Sequence, residues 1–352
     1  MLVIDGHLDL AMNALNWNRD LKKRVSEIRR AESGMKGKGR GMNTVSLPEM
    51  KRGEVCVCLA TLIARVRRGK VDGYASKEIA YAAAHGQLAY YRILETQGLI
   101  RMIRSNMDLK VHVEGWLKSP EQNPIGVILS MEGADPILDP DHLEYWWNIG
   151  LRVLSLTHYG ENDYAHGTGS QGGLKPLGRK LLEAMYSLGM VLDVTHLSEE
   201  SFWDALETFQ GHIIASHSNC RALVPGDRQF SDEQIKALIE RDAVIGVALD
   251  AWMLYPGWIK GVTSNEVVSL EAVADQIEHI VDLAGDTRHV AIGSDLDGGF
   301  GKEQCPHDLD TIADLQKIPS ILKKRGYSDQ DIRNVMYENW LRKFGEALPT
   351  KR

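Results

Sequence analysis

Eight short apolar runs rich in β-branched residues punctuate this chain, and seven of them end on a histidine or a carboxylate. They cover residues 2–6, 54–63, 125–131, 151–157, 190–195, 212–216, 243–249 and 289–294. Near-continuous apolar runs suit strands buried on both faces of a parallel sheet. Stretches with helical spacing lie between them. Residues 76–96 are alanine-rich with apolar spacings of three and four. Pro176 opens a helix that Gly189 stops, and Ser198 and Ser231 are N-caps, the latter with Gln234 at the capping-box position. Residues 270–284 and 311–324 follow, and a last helix starts near Ser328 and carries Tyr337-Glu338-Asn339-Trp340. Eight strands alternating with helices predict an α/β chain folded as a (β/α)8 TIM barrel, typically ~250 residues before insertions. The surplus of this 352-residue chain falls in a long first βα loop, residues 10–53, and in extra C-terminal helices. No repeat beyond the βα unit and no long linker divides it, so residues 1–352 are expected to form one domain. The charged segment 18–46 reads as a solvated helix plus a mobile loop over the barrel mouth.

Composition narrows the function. The formal net charge of −7 argues against nucleic acid as the main partner. No apolar run reaches the ~18–20 residues that span a bilayer, and the N-terminus lacks a basic segment followed by a long apolar stretch. The expected location is cytoplasmic, away from membranes. Cys56, Cys58, Cys220 and Cys305 form no Cys-x-x-Cys pair, so reduced thiols are expected, with Cys56 and Cys58 on one face of a buried strand. Trp146-Trp147 and Trp252 suit an interface, a pocket wall or the core equally well.

In a (β/α)8 barrel the active site lies at the C-terminal ends of the strands. Those ends offer His7, Asp9, Glu132, His158, His196, His217 and Asp295. His7 and Asp9 are two apart on a strand and project to one side. Singly, each has an ordinary explanation, such as a hydrogen-bonded strand-end histidine, or turn chemistry for Asp295 and Asp297. Together they would crowd polar groups that a metal satisfies. Imidazole with carboxylate suits zinc, with manganese, cobalt and iron left open. Four or five ligands exceed the three plus an open position of one catalytic zinc. Two metals sharing a carboxylate fit better, and Glu132 is central enough to bridge. Such a pair can hold a hydroxide and polarise a carbonyl. Asp295 then suits the general acid–base, and His158 a donor to the developing oxyanion.

The motifs Asp5-Gly6-His7-Leu8-Asp9, Ser130-Met131-Glu132-Gly133, Leu156-Thr157-His158, Asp193-Val194-Thr195-His196-Leu197-Ser198, Ser216-His217-Ser218-Asn219 and Gly293-Ser294-Asp295-Leu296-Asp297-Gly298 resemble, in this order, the membrane (renal) dipeptidase family, peptidase family M19 of the amidohydrolase superfamily. Gly173-Leu174-Lys175-Pro176-Leu177-Gly178 and Glu338-Asn339-Trp340 are also similar, so the resemblance runs from residue 2 to about residue 345. It implies a hydrolase, a metallo-dipeptidase with two Zn2+ per chain, that cleaves dipeptides and often tolerates a D residue at the C-terminal position. By position, His7 and Asp9 would bind one metal and His196 and His217 the other, with Glu132 bridging. Asp295 would shuttle the proton, and His158 would contact the tetrahedral intermediate. Arg228, eleven residues after His217, would hold the substrate carboxylate, with Arg221 as second candidate; a guanidinium fork suits a carboxylate. The family also implies a homodimer.

The chain departs from the family after the seventh run, where an Asn-Phe-Tyr-like segment gives way to Ala248-Leu249-Asp250-Ala251-Trp252-Met253-Leu254-Tyr255. Asp250 fits either a receiver of a substrate ammonium or basic side chain, or a strand-end cap. The secretory signal, lipid-anchor tail and disulfide cysteines of the animal members are missing, which resembles a cytoplasmic bacterial member. The alternative readings keep the metals but change the chemistry, to a lactonase, deaminase or phosphotriesterase, or keep only the barrel as a binding scaffold.

Overall fold

The computed structural model describes residues 1–69 and 71–350. Its sheet is parallel throughout and runs β1 (Val3–Leu8), β2 (Val55–Leu62), β4 (Ile125–Glu132), β5 (Leu151–Ser155), β6 (Val191–Asp193) and β7 (Ile213–Ile214), with β3 (Ile100–Met102) on the flank of β4. Every residue of β1, β2 and β4 is buried, as their predominantly apolar sequences suit strands covered on both faces. A separate parallel pair follows, β8 (Ile245–Val247) with β9 (Val290–Ile292).

The eight expected runs are all present as strands, but the ladder is regular only from β1 to β7. One bridge, Ala215 with Ile245, joins β7 to β8. Past the end of β9, the Asp295 N–H donates to the His7 carbonyl of β1 at 3.3 Å. The thinning has a physical cause. Two buried carboxylates take backbone donors that a ladder would otherwise use: Asp193 accepts from the Thr195 and Ser216 N–H groups, and Asp5 from those of His7 and Ser294. The backbone is also packed tightly here. A Cβ on Gly246 or Gly293 would lie 2.1 or 1.8 Å from the Ser216 carbonyl oxygen.

Helices fill the connections: α1 (Leu10–Asn16), α2 (Val25–Ala31), α3 (Leu47–Arg52), α4 (Lys77–Thr96), α5 (Asn106–Lys118), α6 (Leu143–Asn148), α7 (Pro176–Leu188), α8 (Glu199–Thr208), α9 (Asp232–Glu240) and α10 (Glu271–Ala284). Their ends follow the sequence signals. Ser76, Ser198 and Ser231 accept capping hydrogen bonds, Gln234 closes the box, and Gly189 is left-handed after α7. The helix expected over 311–324 is split instead, into a 3-10 segment, Ile312–Lys317, and α11 (Ile318–Lys324). Pro319, which has no N–H to give, stands in the first turn of α11. After α12 (Asp329–Arg333) a π turn, Asn334–Glu338, leads into α13 (Asn339–Ala347). Trp340 of α13 is buried and its indole N–H donates to the Ile292 carbonyl. A Cβ on Gly6 would come within 2.6 Å of this ring, which explains the glycine between Asp5 and His7.

One expectation is corrected here. Segment 18–46 is tied down rather than mobile: Arg19 is buried, clamps Glu32 through two hydrogen bonds of 2.9 and 3.1 Å, and also donates to Asn13 and Gly39. Opposite charges thirteen residues apart in a polar stretch read as solvated, yet here they meet as one buried fork–fork pair. Trp146 is core, stacked on His85, while Trp147 lies under Arg152. All four cysteines are free and buried, Cys56 and Cys58 together in β2. Among the described residues no helix is long and apolar enough to cross a membrane.

Candidate active site

The strand ends place the polar side chains with one recurring offset. His158, His196, His217, Asp250 and Asp295 each lie three positions past the last residue of β5, β6, β7, β8 and β9. Glu132 is the last residue of β4, and His7 and Asp9 straddle the end of β1. The offset places these groups in backbone that has left the ladder. His196 and Asp295 adopt left-handed φ angles of 68° and 55°, a conformation that costs of order 1 kcal/mol or more in non-glycine residues and concentrates at functional sites.

Glu132 is the hub. Its Oε1 lies 3.3 Å from the Nε2 of His196, 3.4 Å from that of His217, and 3.7 Å from those of His7 and His158. Two sets of three ligand atoms, His7/Asp9/Glu132 and Glu132/His196/His217, each fall within 4.8 Å of one another and share Glu132. Asp295 is near enough to form a third such set with His7 and His217.

The far nitrogens are held by hydroxyls. Thr168 Oγ1 meets His196 Nδ1 at 3.0 Å and Ser216 Oγ meets His217 Nδ1 at 2.8 Å, which turns each Nε2 toward the centre. Thr61 donates to Asp9. The run 54–63 ends without a ligand, and its one hydroxyl buttresses the ligand pair of the neighbouring strand. That polar residue in an apolar run was the available signal for it.

The electrostatics of these side chains alone are unfavourable to charge. Burial raises the Glu132 and Asp295 carboxyls far above the usual range, with Asp9 adding to both, and raises Asp9 to about 6. Burial lowers His7 to about 3, and lowers His158, His196 and His217 well below an ordinary imidazole. His7 Nε2 is buried with no hydrogen-bond partner. A buried cluster of neutral imidazoles and protonated carboxyls with an orphaned nitrogen is a costly arrangement for protein groups by themselves. It fits divalent cations, which want deprotonated carboxylates and neutral imidazoles at these positions.

The cluster forms the floor of a cavity of ≈580 Å³ lined also by Trp17, Lys38, Arg65, Tyr74, Tyr159, Trp252 and Lys260. Tyr159 adjoins His158, Trp252 lies in the segment 248–255 after the seventh run, and Arg65 stands three positions past β2, at the same offset as the histidines; Trp17, Lys38, Tyr74 and Lys260 lie away from the strand ends. Arg228 lines the cavity too. It is buried and oriented by bonds to Ser218 Oγ (3.1 Å) and to the His217 carbonyl (2.7 Å). Arg221 is turned away, paired with Glu199. Asp250 caps the short 3-10 turn Ala251–Met253, accepts from Gln304 and also lines the cavity.

Known proteins share this fold. The solved dipeptidase AC, a metallopeptidase of family M19, superposes with a TM-score of 0.81 at 23% identity, over 100% of this chain and 99% of that one. A Rhodobacter sphaeroides metallopeptidase, solved with a phosphinate mimic of the dipeptide L-Ala-D-Ala, superposes at 0.79 with 22% identity, over 99% of each chain. At these identities the likeness shows the shared fold. In sequence, the dipeptidase verJ of Clonostachys rogersoniana is 30% identical over 223 residues, 62% of this chain and 54% of that protein. An uncharacterized dipeptidase of Schizosaccharomyces pombe is 28% identical over 226 residues, 63% of this chain and 53% of that one. The match thus spans about half the length of these fungal relatives. The family model for membrane dipeptidases, peptidase family M19, matches residues 1–352, and the chain belongs to that family.

Proposed function

We propose that this protein is a zinc-dependent dipeptidase. The observation that carries the reading is the pair of ligand sets sharing Glu132 on the floor of a cavity that also holds Arg228. His7 and Asp9 would hold one ion and His196 and His217 the other, with Glu132 common to both. Bound there, two divalent ions supply Lewis acidity toward a peptide carbonyl and lower the pKa of water to near neutrality.

The chain's own groups do the rest. Arg228 has N–H groups to spare beyond its two bonds and receives the free carboxylate of the dipeptide, which fixes the scissile bond over the cluster. His158 Nε2 faces the centre and donates a hydrogen bond to the carbonyl oxygen as it gains charge. Asp295 accepts the proton of the attacking water at its carboxylate and delivers it to the leaving amine. A residue of either hand at the C-terminal position is compatible with this scheme, because Arg228 reads the carboxylate and not the side chain.

Replacing Asp295 tests the assignment. Asp295→Asn is expected to cut kcat by about 10²–10⁴-fold with two metals per chain retained. Activity near the parent level would remove Asp295 from the proton path. Loss of one ion would make it a ligand, as its closeness to His7 and His217 allows.

A further inference from the structure

The ring of His158 has a second contact that none of the motifs contains. Arg65 Nη1 lies 2.7 Å from His158 Nδ1. A guanidinium has donors and no acceptor. At that distance the imidazole nitrogen facing it must offer a lone pair, because an N–H there would set two donors against each other. Only one neutral form of the ring satisfies this, with the proton on Nε2. That nitrogen is the one facing the centre, 3.7 Å from Glu132 Oε1.

Arg65 can do this because its own chain is held. The loop after β2 folds back as a short ribbon, with Val66 bridged to Tyr74 and Arg68 to Val71. The Arg65 carbonyl accepts from the Tyr74 N–H at 2.8 Å, and the Val66 N–H donates to Asp135. Among the described residues Arg65 has no carboxylate within ion-pair distance, although its charge also favours the ionised form of Asp9, and its close side-chain partner is the histidine. The other imidazoles of the cluster with a bonded Nδ1, His7, His196 and His217, meet hydroxyls, which can donate or accept and leave the tautomer open. Among the described residues of the cluster, His158 alone faces an obligate donor.

We propose that Arg65 is a positioning residue that locks His158 in the Nε2–H tautomer, so that His158 always presents a donor to the oxyanion of the substrate. The proposal rests on the dipeptidase reading for its catalytic consequence, but the tautomer itself does not. Without Arg65 the ring is free to place its proton on Nδ1 and turn a lone pair toward a developing negative charge. The penalty is that of losing one oxyanion donor.

The test uses two variants of the zinc-loaded protein. Arg65→Met is expected to lower kcat by about 10²-fold, with KM changed by less than about threefold. Arg65→Lys keeps an obligate donor and is expected to recover to within about tenfold of the parent. Long-range 1H–15N spectra of 15N-histidine-labelled protein, with His158 assigned through His158→Gln, read the tautomer directly. The parent should show a bare Nδ1 and a protonated Nε2, and Arg65→Met should show a mixture. A protonated Nδ1 in the parent overturns the proposal. So does an equal loss of kcat in both variants, or a rise in KM at unchanged kcat, which would make Arg65 a substrate contact. If the parent cleaves no dipeptide but the spectra are as stated, the dipeptidase reading fails while the tautomer assignment stands.

Discussion

Changing Glu132 to glutamine separates metal binding from protein folding. In the metal-free protein burial holds the Glu132 carboxyl in its neutral form, so an amide of the same shape replaces a group already uncharged. The metal-free stability should then change by less than about 1 kcal/mol. With metal the variant should differ sharply, because both ligand sets depend on the Glu132 carboxylate. Zinc at a hundredfold excess over its dissociation constant stabilises by about 2.7 kcal/mol per site, hence about 5 kcal/mol for two. For a chain of 352 residues, an unfolding entropy of about 2.1 cal/mol/K per residue makes each kcal/mol worth about 1.4 °C. Calorimetry after chelation and zinc titration should therefore show the parent rising by about 7 °C and Glu132→Gln by no more than about 2 °C. An undiminished rise in the variant would refute Glu132 as the shared ligand. A large drop in metal-free stability would refute the neutral state assigned to its carboxyl.

Two other outcomes follow from named contacts. Arg228→Met should lower kcat/KM for free dipeptides by about 10–100-fold through loss of a charged hydrogen-bonding fork, while C-terminally amidated substrates change little; an equal loss for both would take Arg228 out of carboxylate recognition. Burial raises Asp250 from 3.8 to about 6 against the hydrogen bond from Gln304. The folded state therefore holds this proton more tightly, and the group's contribution is intact below about pH 4 and is lost as pH rises through about 6. Metal-free Asp250→Asn should gain up to about 3 kcal/mol over the parent between pH 4 and 7.5 in urea unfolding, whereas parallel profiles would show Asp250 to be solvated and unperturbed.

The strand ends were legible because burial and chemistry alternate along the chain there. A run such as Ile125–Met131 that stops at Glu132 can be read without knowing its neighbours, and the polar run-ends of the main sheet and of the β8–β9 pair gather at one cluster and its cavity. The candidate ligands were legible for the same reason, since each stands at a strand end, His7 and Asp9 sharing that of β1. What arrives from outside a strand was not. Lys38 and Lys260 come from loops whose course depends on tertiary pairings, and polar loop residues look alike until those form; Arg65 stands three positions past β2 and was missed because a guanidinium is not a metal ligand. β3 is three residues long with Arg101 in its middle, too short to show a period. The ion pair of Arg19 with Glu32 is set by where segment 18–46 lands, so its charges read as solvated. Asp5 and Asp193 carried a legible clue of another kind. A carboxylate inside an apolar run has to be satisfied, and here its partners are the N–H groups of the adjoining strand ends.

Hydrolysis of a dipeptide library by zinc-loaded protein, covering L-L and L-D pairs with metal counted in the same sample, tests the central claim most directly. The expected result is turnover of free dipeptides, little or none of their amidated or N-acylated forms, and about two metals per chain. Two bound metals with no dipeptide cleaved would contradict the assignment and move the same site to lactone, amine or phosphotriester chemistry.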